Sequence, residues 1–233
     1  MKKITFFTML ASLLLFAGCF ESNAVFSVSP TRQVRFAKGN VEYDSIDGYR
    51  FAAHQYDYGG YFDFGGCDST EIGDYFPYFS EMGDHIIVDK GPRWRTLTEK
   101  EWSYVIGGRA NASAKCGGAT VCGVHGMVLL PDSCLGENNF HAGFDEGWNT
   151  NVYDTSSWLV MEATGAVFLP AAGEHDRTEM DGVGEIGCYR TASGCNDEGV
   201  VYGVYFNKDG VINVFDGWFY WNEELSVRLV QDI

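Results

Sequence analysis

Trp94-Arg95-Thr96-Leu97-Thr98-Glu99-Lys100-Glu101-Trp102-Ser103-Tyr104-Val105-Ile106-Gly107-Gly108 is the stretch on which the fold turns. Thr98 stands as an N-cap, and Glu101 three residues on completes a capping box in which each side chain reaches the other's backbone amide. Leu97 before the cap and Trp102 at the fourth helical position form a hydrophobic staple. Trp102, Val105 and Ile106 then share one face, and Gly107-Gly108 ends the helix. The spacing predicts a helix planted between regions that read as strand.

Upstream, Phe26-Ser-Val28-Ser and Val34-Arg-Phe36 alternate apolar and polar residues, as a strand, a turn and a second strand would. Tyr49-Arg-Phe51 and the aromatic cluster from Tyr56 to Phe64 continue this β-rich start. Residues 65–92, rich in Gly, Asp and aromatics but without period, read as a long ordered loop. Downstream, Val124 to Leu130 is a strand bounded by Pro131-Asp132. A second helix runs from Thr155 to Thr164, with Trp158, Leu159, Met161 and Ala163 apolar and Gly165 as its stop. Ala166-Val-Phe-Leu169 is a short buried strand ending at Pro170.

The last third reads as a β-meander of Tyr189 to Ala192, Val200 to Phe206, Val211 to Tyr220 and Ser226 to Val230. Asn207-Lys-Asp-Gly210 is its clearest hairpin turn, because Asp-Gly readily takes positive φ. Neither an internal repeat nor a Pro/Ser-rich linker divides the chain, so residues 25–233 are expected to form one domain. The class is α+β: two helices, a β-meander in the last third and long ordered loops.

Residues 1–19 carry a second message. Two lysines precede an apolar stretch from Ile4 to Phe16, and Ala17-Gly18 then lead into Cys19. That is the layout of a secretory signal peptide. The cysteine after a small pair resembles the bacterial lipobox, in which it is acylated and becomes the mature first residue. Phe16 stands where leucine is usual, with Leu15 one further back. An ordinary secretion signal followed by an unrelated cysteine is the alternative. The apolar run falls short of the ~20 residues that span a bilayer. The expectation is a signal peptide over residues 1–18, a lipidated tether over 19–24, and a membrane partner reached through that anchor. The location is then the cell envelope, at the outer membrane of a Gram-negative bacterium.

Removing residues 1–18 takes away Lys2 and Lys3 and leaves 14 basic against 32 acidic side chains, a net charge of about −18. Such a surface repels phosphate backbones, which excludes nucleic acid as a partner. No lysine or arginine block follows Cys19 to attract anionic lipids. Hydrophobic residues at 45% supply a core, and the 15% of aromatics with 29 glycines favours short strands joined by ordered turns.

With Cys19 set aside, six cysteines remain: Cys67, Cys116, Cys122, Cys134, Cys188 and Cys195. An even set in an oxidising compartment is expected to pair as disulfides, although sequence does not choose the connectivity. Cys116 and Cys122 flank Gly-Gly, and Cys188 and Cys195 flank a short polar segment, so both pairs are candidates for local closure. Zinc is the rival reading, but no Cys-x-x-Cys or close Cys/His pair supports it.

Five ordered segments resemble a known group: Phe26-Ser-Val-Ser-Pro-Thr-Arg-Gln-Val-Arg-Phe-Ala-Lys-Gly-Asn-Val-Glu-Tyr43, Tyr49-Arg-Phe-Ala52, Trp94 to Trp102, Gly165-Ala-Val-Phe-Leu-Pro-Ala-Ala-Gly173 and Ser226-Val-Arg-Leu-Val230. They are similar to envelope proteins of Bacteroidota and Fibrobacter of the Fibrobacter succinogenes major paralogous domain family. That family in turn looks like the C-type-lectin-like fold of formylglycine-generating (sulfatase-modifying) domains. The resemblance implies a C-type-lectin-like fold over nearly the whole mature chain. Where resembling proteins carry a Gly-Tyr-Tyr-Trp-Ser-Ser-like strand, this chain has Gly187-Cys-Tyr-Arg-Thr-Ala-Ser193, with Arg190 in place of tryptophan.

Catalytic signatures are scarce. No two cysteines map onto the copper-binding pair of formylglycine-generating enzymes. No Gly-x-Ser-x-Gly elbow, His-Glu-x-x-His helix, phosphate loop or dinucleotide fingerprint occurs, and the five histidines are scattered. Trp221-Asn222-Glu223 resembles one calcium signature of sugar-binding lectins, without the accompanying proline motif. The acidic run Glu174-His-Asp176-Arg-Thr-Glu179-Met-Asp181 offers oxygens to calcium in no defined spacing, so no cofactor is expected. The leading expectation is a non-catalytic ligand-binding or adhesion module for a glycan or peptide. Its ligand face would comprise Tyr189, Arg190, Trp218, Tyr220 and Trp221, because aromatic faces suit sugars and peptides. The arginine among them favours an acidic ligand. An enzyme acting on polysaccharide or on a sulfatase-like protein substrate, and a structural subunit of an envelope assembly, are the alternatives.

Overall fold

Helix formation at Thr98 follows the capping box. In the computed structural model the Thr98 hydroxyl accepts from the Glu101 amide at 3.3 Å, and the Glu101 carboxylate accepts from the Thr98 amide at 2.9 Å. The structure describes residues 24–45, 48–62, 94–134, 140–176, 178–193, 200–213, 219–220 and 223–233. Its class is α+β.

The chain opens with β1 (Phe26–Ser27), β2 (Gln33–Phe36), β3 (Val41–Asp44), β4 (Gly48–Phe51) and β5 (Tyr61–Phe62). Strand β6 (Trp94–Arg95) leads into α1 (Glu99–Ser103), which widens into a π-helical turn over Tyr104–Gly108. That turn closes where the Arg109 amide donates to the Tyr104 carbonyl at 2.8 Å. The helix therefore ends at the glycine pair as its spacing implies, but over a wider last turn.

Next come β7 (Cys116–Val121), β8 (Val124–Leu129), β9 (Val152–Tyr153), α2 (Thr155–Ala163) and β10 (Val167–Pro170). Strands β10, β8, β7 and β9 form one sheet in that order. Met127, Leu129 and Leu169 enter one apolar cluster with Trp102 and Phe26, while Val128, Leu130 and Phe168 enter another with Trp158 and Met161 of α2. Burial on both faces explains why 127–130 and 166–169 read as continuous apolar runs rather than alternating ones. Strand β7 was not anticipated, because its Gly-Gly reads as a turn. A methyl on Gly118 would lie 2.5 Å from the Gly147 carbonyl oxygen, so the glycine admits a second backbone against the strand.

The last third contains β11 (Glu174–Asp176), β12 (Glu179–Asp181), β13 (Ile186–Arg190), β14 (Val200–Val201) and β15 (Gly203–Asn207). It ends with β16 (Gly210–Asn213), β17 (Phe219–Tyr220), β18 (Leu225–Ser226) and β19 (Val230–Asp232). The expected meander holds for β13, β15 and β16, which pair antiparallel. It then breaks. Strand β17 pairs with β14, β18 runs parallel to β13, and β19 lies between β2 and β6 in the N-terminal sheet. Val230 is thereby buried in the same cluster as Phe26 and Val34, a burial that the meander's edge would not provide. At the hairpin, positive φ falls on Gly210 alone, at +133°, and the Asn207 side chain accepts from the Asp209 amide at 2.8 Å. The expected loop over 65–92 lies outside the described residues.

Arg228 joins the parts. Fully buried, it donates through Nε to Asn40 Oδ1 at 2.9 Å and through its terminal nitrogens to the carbonyls of Ala37 at 3.1 Å and Phe168 at 2.8 Å. Burial pulls the guanidinium down to about 10. At the chain's end, Arg95 grips Glu101 with two bonds, at 2.7 and 2.9 Å, and Asp232 with two more, at 2.9 and 2.7 Å. This planar fork ties β6, α1 and β19 together.

Candidate functional site

The late strands separate the expected ligand face into interior and exterior members. Tyr189 is fully buried: its hydroxyl donates to the Pro170 carbonyl at 3.0 Å and accepts from Asn40 Nδ2 at 3.1 Å, and its ring stacks on Phe206. Burial pushes its phenol far above the usual tyrosine range. Arg190, opposite Gly203 in the register, is buried as well. Neither belongs to an exposed face, which corrects the expectation. The reason is that β13 is covered on both faces: Tyr189 enters the cluster of Trp148 and Phe206, while Cys188, on the face that Arg190 shares, enters one with Val201, Phe219 and Leu225. Tyr220 is 58% exposed while its neighbour Phe219 is buried, the alternation of a one-sided strand. Trp218 and Trp221 lie outside the described residues.

Four described cysteines, Cys116, Cys122, Cys134 and Cys188, carry free thiols. Local closure of Cys116 with Cys122 fails because β7 separates them, and about 3.3 Å per residue holds their Cα atoms far beyond disulfide reach. Burial raises the Cys116 thiol to about 12, and burial with the nearby Glu174 carboxylate raises Cys188 well above its ordinary value. Burial therefore holds both as neutral thiols at neutral pH, the unreactive form. Cys19, Cys67 and Cys195 lie outside the described residues.

The acidic run over 174–181 is a hairpin rather than a loop. Strands β11 and β12 pair Glu174 with Asp181, His175 with Met180 and Asp176 with Glu179. His175 also exchanges both backbone bonds with Glu224, each at 3.0 Å, and its Nδ1 lies 2.8 Å from Glu224 Oε2. Partners directly opposite one another share a sheet face, so Met180, His175 and Glu224 form a row across three chain segments. Tyr220 is bonded to Glu223, the neighbour of Glu224: the Tyr220 amide donates to the Glu223 carboxylate, and the Glu223 amide to the Tyr220 carbonyl, both at 3.0 Å.

Met180 is 42% exposed and Val183, just beyond the hairpin, 44%. Tyr220 is a further exposed apolar side chain in the last third of the chain, and the exposed carboxylates of Glu179 and Asp181 alternate with Met180 along β12 and so point to the other face of the hairpin. The sequence hid this surface. Glu-His-Asp-Arg-Thr-Glu-Met-Asp lacks apolar alternation, and its pairing with Glu224 is long-range. Among the described residues no group of three or more His, Cys, Asp or Glu side chains is placed to hold a metal ion. No protein-family model, curated protein or solved structure matches the chain.

Proposed function

We propose that the chain is a lipid-tethered envelope protein with a C-type-lectin-like domain that binds a ligand without transforming it. Support for the fold reading comes from β19 returning between β2 and β6 and from two helices set among mainly antiparallel strands. The observation that carries the function is the exposure of Met180, Val183 and Tyr220, with Met180 directly opposite the His175 that pairs with Glu224; the three would form the apolar rim of the ligand surface.

Arg190 no longer argues for an acidic ligand, because it is interior. The chain's net charge of −16 disfavours anionic ligands, so the ligand class is a neutral glycan or a cationic peptide. An aromatic ring and a flexible methionine supply apolar contact, while the His–Glu pair supplies directional hydrogen bonds. A glycan and peptide array with the soluble domain lacking Cys19 tests this. Binding to neutral glycans or basic peptides, lost on Tyr220→Ala with the thermal midpoint unchanged, is the expected result. An array without ligands, or ligands held equally well by Tyr220→Ala, overturns it.

A further inference from the structure

The outer face of α2 is unusual for so acidic a chain. Trp158 and Met161 turn inward, whereas Leu159 and Val160 are 57% and 63% exposed. Their exposed companions on the helix are Thr155, Ser156 and Ala163, so the face carries no charge along the helix; the exposed Asp154 carboxylate, which accepts from Ser156 Oγ at 2.8 Å, stands at its N-cap, the end away from Gly165. The one carboxylate within the helix, Glu162, is half-buried and accepts from Gln55 Nε2 at 3.0 Å.

The chain's entry point lies beside this helix. Gly165, with φ +89°, ends α2, and a side chain there would overlap the Cβ of Ala24. Ala24, the first described residue, therefore packs against the C-terminal end of α2. Four residues lie between it and Cys19, so five Cα steps give a reach of about 18 Å at full extension. Helix α2, at 1.5 Å per residue, is about 14 Å long. An acyl group on Cys19 thus holds the bilayer within one tether length of the helix end, and the whole of α2 lies within a second short step.

We propose that the outer face of α2, centred on Leu159 and Val160, rests on the lipid surface to which the chain is tethered. The inference rests on acylation at Cys19. Charge supports it: an anionic leaflet repels carboxylates within a Debye length of ~8 Å, and this uncharged face can approach where acidic surfaces cannot. A tethered apolar pair needs little affinity of its own, because the anchor makes contact intramolecular. Docking there orients the domain instead of leaving it to tumble on the tether.

The test uses the full acylated protein on vesicles of phosphatidylethanolamine and phosphatidylglycerol, with a benzophenone amino acid introduced at position 159 or, as control, at position 183 on the proposed ligand rim. Both positions are exposed, so folding is not at stake. Irradiation is expected to yield several-fold more lipid adduct from position 159 than from position 183, and Val160→Glu should reduce the adduct. Equal or absent adducts from protein that still sediments with vesicles would overturn the docking and leave the anchor standing. Protein that does not sediment overturns both, and Cys19→Ser reports separately on the anchor.

Discussion

Arg228 is a buried cation whose partners are chiefly backbone carbonyls and Asn40, with no carboxylate in direct contact among the described residues. Removing it strands Asn40 Oδ1 and the carbonyls of Ala37 and Phe168 in the interior, at about 1–3 kcal/mol for each unsatisfied group. Arg228→Leu should lower the unfolding free energy by roughly 3 kcal/mol or more, measured by denaturant titration; a loss below 1 kcal/mol would mean these groups find other partners. Tyr189 belongs to the same network through Asn40. Tyr189→Phe should destabilise by about 1 kcal/mol and leave ligand binding intact, because the hydroxyl bonds only to interior groups. Affinity that falls without loss of stability would return Tyr189 to the ligand face.

At the scale of elements, α1 depends on one carboxylate used twice. Glu101 closes the capping box and also receives the Arg95 fork. Thr98→Ala removes the cap alone and should cost about 1 kcal/mol. Glu101→Gln disturbs both and should cost roughly twice as much, since hydrogen bonds to charged groups are worth more. Thermal melts of the two variants check the order, and equal shifts would show that the fork contributes nothing. Both helices, β1, β2, β8 and the Asn207–Gly210 hairpin were legible because each is written in local spacing: a cap, an alternation, a turn residue. Strand β7 was not, because Gly117 and Gly118 serve a packing need visible only when a distant segment arrives, its His141 and Gly143 carbonyls against Gly117 and its Gly147 carbonyl against Gly118. The β11–β12 hairpin was read as an acidic loop for a similar reason: the edge that β11 presents is completed by Glu224, far along the chain. Tyr189 and Arg190 were misplaced because period two says that alternate residues face alternately, not which face is covered.

For the molecule as a whole, two sets of groups set limits on pH. Glu101 and Asp132 hold carboxyls below their usual range: burial opposes this, but Arg95 and the Thr98 amide at Glu101, and Ser27 and Arg109 at Asp132, outweigh it. Asp232 is lowered first by its bonds to Arg95. Groups depressed in the folded state contribute fully above their unfolded value near pH 4 and cease to contribute as pH falls through the folded value. Stability should therefore decline below about pH 4, and more steeply than for an unpaired surface. On the alkaline side burial raises Cys116, Tyr61 and Tyr153 to about 12 each. There the unfolded chain loses protons that the folded chain retains, so stability falls above about pH 8.5, where free thiols begin to ionise. The net charge of −16 adds self-repulsion through the neutral range, which salt screens. Denaturant titrations from pH 3 to 10 should trace a dome that is highest between about pH 5 and 8. Added salt should raise its neutral plateau while weakening the exposed Arg32–Asp232 pair little, since such pairs contribute under about 1 kcal/mol. A curve that keeps rising past pH 10 would mean the raised thiol and phenols are exposed to water, and the interior placement of Cys116 would fall with it.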